Sequence, residues 1–191
     1  MTAVKKIILW TLLVTGVLMI YFSAYLPYAK SRVYINAVRQ AQNLRSVDEF
    51  KNLFNSVFNF YSPVGEEEVV KFLSNDIAAL INRPEATEDV SGLLIEYLAP
   101  RFFSNNVRHM ITGARIYETL WRRWGKEVYY SKSEDYYQKA YAIGPKLPPV
   151  LYGMLGIYYM RQDFNRAKSI AGQILTYWPN DERIKNIPWP Q

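Results

Sequence analysis

One stretch constrains this chain more than any other. From Ile7 to Ala29, IILWTLLVTGVLMIYFSAYLPYA, 23 consecutive residues carry no charge. A bilayer's hydrocarbon core is ~30 Å thick and a helix rises ~1.5 Å per residue, so ~20 apolar residues cross it. Trp10 near one end, and Tyr21, Tyr25 and Tyr28 near the other, stand where amphipathic rings settle at membrane interfaces. Pro27 falls near the exit, where its missing N–H disturbs a helix least. The rival reading is a cleaved signal peptide, whose apolar core runs ~7–15 residues and ends in small residues. Here the run is longer, and Tyr25, Leu26 and Tyr28 crowd any cleavage site. The sequence therefore predicts an uncleaved, single-pass transmembrane anchor at residues 7–29, within an N-terminal segment 1–30. Thr11, Thr15 and Gly16 line one face with small residues, which permits homo- or hetero-oligomerisation through the anchor.

Flanking charge does not decide orientation. Lys5 and Lys6 precede the run, while Lys30, Arg32, Arg39 and Arg45 follow it. Large domains translocate largely regardless of charge, and a very short tail before an anchor usually stays inside. The body is accordingly expected on the extracytoplasmic side.

The anchor also explains the charge balance. Lys+Arg number 23 against 17 Asp+Glu, a net charge of +6. Lys5, Lys6, Lys30 and Arg32 flank the apolar run, and the rest of the chain is nearly balanced, so no nucleic-acid partner is expected. Within the body the charge is polarised: Asp48 to Glu96 is rich in acids, and Tyr97 to Lys126 is rich in bases. There are no cysteines and a single histidine, His109. That removes disulfides, thiolate metal sites and multi-histidine sites, and no phosphate loop, nucleophile elbow or acid–base carboxylate pair is apparent. Neither enzymatic activity, nor a cofactor, nor a metal is expected. The triplet Glu66-Glu67-Glu68 reads as the first turn of a helix, where the dipole favours negative charge. His109, beside Met110 and Ile111, reads as a packing residue.

After the anchor, apolar positions recur at helical spacing, and nothing alternates as a strand would. Breaks at Ser46, Pro63-Val64-Gly65, Arg83-Pro84, Pro100, Ser104-Asn105-Asn106, Gly125, Gly144-Pro145 and Pro179 leave about eight helices. Ser46 opens one as a cap for the amide of Glu49. The fold class is all-α: a transmembrane helix followed by an α-solenoid of about four helical hairpins. Its divisions are degenerate hairpins over 31–103, two repeats over 104–182 and a tail over 183–191.

The repeat is visible in the chain. Ala140, Tyr141 and Pro145 recur as Ile174, Leu175 and Pro179, each 34 residues on; Tyr117, Leu120, Trp121 and Trp124 recur as Tyr152, Leu155, Gly156 and Tyr159, 35 residues on. The pattern Tyr152-x-x-Leu155-Gly156-x-x-Tyr159, Asp163-Phe164-x-x-Ala167, Ala171, Ile174-Leu175 and Pro179 resembles the tetratricopeptide repeat (TPR). The preceding unit, about residues 114–147, is similar but has Trp121 at the small-residue position and Ser133 at the turn-packing alanine. The last unit lacks the turn glycine. Gly156 is expected to allow close helix approach within a hairpin. The aromatics Tyr129, Tyr130, Tyr136, Tyr137, Tyr141, Tyr158, Tyr159 and Trp178 are expected in core and lining, with hydroxyls reaching the surface. Trp189 and Pro190 either fold over the last hairpin or lie against a partner.

The resemblance implies a right-handed superhelix in which the first helix of each hairpin lines a concave groove. Arg101, Arg108, Arg115 and Arg122 are spaced by seven, which keeps residues of one helix on one face; Pro100 and the Asn pair set Arg101 apart. The alignment puts Arg115, Glu118, Arg122 and Lys126, together with Arg108, on the groove side of the first unit. In the second unit it puts Gly153, Ile157, Met160 and Arg161 there. A basic wall over an apolar floor suits a protein or peptide partner bearing acidic or C-terminal carboxylates, which arginine grips bidentately. Alternatively, the arginines pair with the chain's own acidic half. The functional expectation is a membrane-anchored adaptor, scaffold or assembly factor of a membrane or cell-envelope complex, or else a constitutive structural subunit of one.

Overall fold

A computed structural model describes residues 3–41, 44 and 46–190. Arg45 and Gln191, which belong to the juxtamembrane charge and the tail, lie outside the described residues. Every regular element among those described is helical. They are α1 (Ala3–Ala41), α2 (Val47–Asn59), α3 (Glu66–Ile81), α4 (Glu88–Leu98), a 3-10 turn (Ala99–Arg101), α5 (Val107–Trp124), α6 (Glu127–Ile143), α7 (Pro148–Met160), α8 (Phe164–Tyr177) and the short α9 (Glu182–Lys185). The chain divides into two compact units, residues 1–73 and 74–191, so that α3 contributes to both.

In the first unit, α1 is long and apolar enough to cross a membrane, and no residue between Ala3 and Ile20 is buried. Large apolar side chains face outward on every side of that stretch. The helix does not stop at Pro27. It widens to a π-helix over Tyr21–Tyr25, where the N–H of Leu26 reaches back to the carbonyl of Tyr21. A proline ring collides with the carbonyl four residues earlier, here that of Ser23, and one wide turn relieves the collision without ending the helix. From Leu26 onward the same helix joins the body: Leu26, Lys30 and Ala37 are buried. Tyr34 meets Phe54 of α2 at 6.2 Å between ring centroids, and Phe50 meets Phe54 at 4.6 Å. The exposed apolar stretch and the packed part of α1 are thus one continuous helix across residue 30. Ser46 caps α2 as the sequence predicts, its hydroxyl accepting from the amide of Glu49 at 3.1 Å. The Glu66 triplet opens α3.

In the second unit, α5 packs along α6, α7 along α8, and α6 along α7. The first pair is joined through Gly125, in the left-handed region at φ 69°. Small residues sit where the pairs meet, with Ala114, Ala140 and Ala167 fully buried. Ser133 fits the position expected for alanine because its buried hydroxyl donates to the carbonyl of Ala114 at 2.9 Å. One expectation is corrected. A Cβ at Gly156 would meet nothing within 4 Å, so Gly156 permits no close approach; its counterpart Trp121 stands edge-on to Tyr130 at 5.1 Å. The close approach falls at Gly153, where a Cβ would lie 2.2 Å from the ring of Tyr137, and at Gly113, 2.9 Å from that of Tyr136.

The missing turn glycine has a visible cost. Gln162 occupies the α7–α8 turn at φ 65°, a region that costs a side-chain-bearing residue about 1–2 kcal/mol. Gln162→Gly is expected to raise the melting temperature, by no more than about 1 kcal/mol of stability since glycine also frees the unfolded chain. Calorimetry on the two proteins checks this. The tail folds back over α7 and α8: the hydroxyl of Tyr159 donates to the carbonyl of Pro188 at 2.8 Å, and Trp189 meets the Tyr159 ring at 5.8 Å.

Candidate functional site

Asn106 caps α5, its side-chain oxygen accepting from the amides of Arg108 at 2.9 Å and His109 at 3.3 Å. The helix then runs unbroken to Trp124, bringing Arg108, Arg115 and Arg122 onto one exposed row. Arg101 is separate, on the 3-10 turn, its guanidinium 3.9 Å from the ring centroid of Tyr97. His109 is a packing residue: it is buried between Phe102 and Phe103, and its Nδ1 accepts from the amide of Phe103 at 3.1 Å.

Intramolecular pairing takes up several of the charges predicted for the groove. Arg122 pairs with Glu118 at 2.9 Å, and Glu118 accepts from the hydroxyl of Tyr137 at 3.1 Å. Burial, then the Glu118 charge, pushes that hydroxyl well above the usual tyrosine range, with Arg115 opposing the rise. Lys126 reaches Glu88 of the acidic segment at 2.7 Å, so here the chain's two halves do pair. Arg161 pairs with Glu127 at 2.8 Å and lies over the Tyr130 ring. Arg108 and Arg115 form no ion pair among the described residues.

Two of the apolar positions expected on the groove floor are corrected. Ile157 is 0% exposed, because α7 is apolar on nearly every side and packs against α5, α6 and α8 at once. Gly153 lies under the ring of Tyr137. Met160 is half-buried.

What remains open beside Arg115 is a cavity of about 230 Å³. Asn75, Ala78, Ile81 and Asn82 from α3 and its end line one wall, and Thr112, Arg115, Ile116 and Thr119 of α5 line the other. Asn82 and Thr119 donate to the carbonyls of Ala78 at 2.8 Å and Arg115 at 2.9 Å, which leaves the Arg115 guanidinium beside Asn75 and Thr112 as the setting suited to a carboxylate. Sequence spacing could not show it, since the two walls are some forty residues apart. A wider hollow of about 760 Å³ lies at the far end of α7 and α8. Pro148, Tyr152, Tyr177, Trp178 and Pro179 line it, with the Asp181–Arg183 pair at 3.1 Å.

Two arginines outside the row of seven organise this unit. Arg123 donates to the carbonyls of Ile81, at the end of α3, and of Pro84 (2.9 Å) and Ala86 (3.2 Å) in the loop that follows. Arg166 lies 4.4 Å from the Tyr158 ring centroid and joins Asp163, Glu134 and the hydroxyl of Tyr130. Neither carries a periodic signal; Arg123 is held by long-range partners, and Arg166 by Glu134 and Tyr130 as well as the local Asp163.

The Glu88–Lys126 contact makes a pH-dependent contribution. Lys126's hydrogen bond, assisted by the hydroxyl of Tyr129, holds the Glu88 carboxyl below its ordinary 4.5. A depressed carboxylate stabilises the fold above its unfolded value and loses that contribution as pH falls through the folded one. Glu88→Gln is therefore expected to melt below the wild type at neutral pH, the gap closing as pH drops below about 4.5. Melting curves of both proteins from neutral to acid pH read this directly. No protein-family model matches this chain, and no curated protein or solved structure does either.

Proposed function

We propose that the chain is a single-pass membrane protein whose helical body, TPR-like in its last two helix pairs, binds a carboxylate-bearing protein segment. It would act there as an adaptor or assembly factor of a membrane complex. The observation that carries the membrane half is the wholly exposed apolar surface of residues 3–20, continuous by helix with a packed body. Leaving that surface in water is unfavourable by about 25 cal/mol per Å² of apolar area, so something apolar covers it. Confinement to the membrane raises the effective concentration of membrane neighbours and lets a modest groove suffice.

The binding half rests on Arg115, which forms no ion pair among the described residues and lines that cavity with Asn75 and Thr112. Arg108→Glu with Arg115→Glu is the appropriate test, because Arg122, Lys126 and Arg161 have partners whose loss would disturb the fold. Crosslinking in membranes followed by capture is expected to recover a partner with the wild-type chain and to lose it with the double variant. Helical circular dichroism should be unchanged. The same partner captured by both chains refutes the Arg115 site.

A further inference from the structure

Within the first unit, one exposed apolar loop is held at the foot of the membrane segment. α2 packs along the later part of α1, with Phe54 facing Tyr34. Six residues of helix further on, ~9 Å at ~1.5 Å each, Phe60 reaches the level of Tyr28. A second observation agrees: Lys30 is 2% exposed, its Cδ lies 4.0 Å from a Cβ built on Gly65, and its Nζ lies 3.9 Å from the Glu66 carboxylate. The α2–α3 loop, residues 60–65, therefore lies beside residues 28–30 of α1.

That level is the membrane boundary. About 20 helical residues from Ile7 fill a hydrocarbon core of ~30 Å, and Lys30 falls ~6 Å beyond it, inside the head-group layer. The loop presents Tyr61, 68% exposed, and Val64, 58% exposed. It is a formed turn. The hydroxyl of Ser62 donates to the carbonyl of Val64 at 2.7 Å, and Gly65 closes the turn at φ 97°. Tyrosine and small apolar side chains are the kind that settle at the head-group boundary.

We propose that the loop Tyr61–Val64 dips into the lipid head groups beside the anchor, giving the body a second membrane contact that fixes its tilt. This rests on the reading of α1 as a membrane span. The occupant of the exposed Tyr61–Val64 surface is lipid, because the loop is continuous with the segment lipid would cover. Glu66 to Glu68 follow immediately, so zwitterionic membranes should hold the loop more deeply than anionic ones.

The absence of cysteine makes the test clean. Three single-cysteine forms of the full chain, Val17→Cys, Asp48→Cys and Val64→Cys, are labelled with an environment-sensitive nitrobenzoxadiazole probe in phosphatidylcholine vesicles. Asp48, at the start of α2, is the exposed control far along α1 from the boundary. The probe at 64 is expected to be quenched by head-group nitroxide lipids and shielded several-fold from aqueous iodide relative to the probe at 48. Adding Tyr61→Asp should return it to water. If position 64 is as open to iodide as position 48 while the probe at 17 is quenched by acyl-chain nitroxides, the loop contact is wrong and the anchor stands. If the probe at 17 is itself open to iodide, the anchor reading fails and the loop contact falls with it.

Discussion

A chain carrying arginine at both Leu13 and Val17 is expected to stay out of the membrane and to appear in the soluble or aggregated fraction. The two positions lie near the middle of the uncharged run, on a stretch of α1 where no residue is buried. An arginine at the centre of a spanning helix costs about 2.5–3.5 kcal/mol on insertion scales, so two cost about 5–7 kcal/mol against a favourable Leu or Val. That corresponds to a shift of roughly four to five orders of magnitude in the insertion equilibrium. The packed body beyond Leu26 does not depend on those side chains, so its helical signal should survive. Membrane fractionation of both chains reads the effect. Undiminished insertion would mean that a protein partner, rather than lipid, covers the segment.

The second large effect is at Gly153. A Cβ there would stand 2.2 Å from Cε1, 2.4 Å from Cζ and 2.5 Å from the hydroxyl oxygen of Tyr137. That ring cannot swing aside, being buried between α6 and α7 and hydrogen-bonded to Glu118. Overpacking of this kind costs about 1–3 kcal/mol for a methyl group and more for a branched side chain. Gly153→Ala is expected to lower the melting temperature by several degrees, at roughly 2–4 °C per kcal/mol for a chain of this size. Gly153→Val should prevent α6 and α7 from docking. Gly156→Ala is the opposite case, with open space beyond the new methyl. It removes the entropy penalty of a mid-helix glycine and should stabilise by about 0.5–1 kcal/mol. Melting temperatures of the variants distinguish the two glycines, and a cycle with Tyr137→Leu, which makes room, should recover part of the Gly153→Ala loss.

The contrast between these glycines marks what the sequence could carry. Periodicity and capping residues are local, so Ser46, Asn106 and the breaks at Pro63-Val64-Gly65 and Gly125 place the helix ends well. A repeat pattern, however, assigns residues to faces by analogy, and a face is buried or open according to what packs there. Gly156 matches the expected small position, yet its neighbour in space is empty, whereas Gly153, read as groove, lies under an aromatic ring. Ile157 was read as groove floor for the same reason and is buried because α7 has helices around it. The charge split between acidic and basic segments is legible, but only the fold shows that Lys126 meets Glu88 while Arg115 forms no ion pair among the described residues. Arg123 and Arg166 carry no periodic signal: the carbonyls that Arg123 meets lie 37 to 42 residues away, and Arg166 adds to its local partner Asp163 the distant Glu134 and Tyr130. Pro27 is read as disturbing the helix little, and the helix does run past it, through a wide turn at Tyr21–Tyr25 that the residues themselves do not announce.

The central claim is that an intact N-terminal helix holds this body to a membrane. The most direct measurement is an alkaline carbonate wash of membranes from cells making the full chain, followed by the intact mass of what remains in the pellet. The account predicts that the chain resists the wash and retains its full 22.4 kDa. A chain released by the wash, and shortened by the mass of its first two to three dozen residues, would show a cleaved leader and contradict the account.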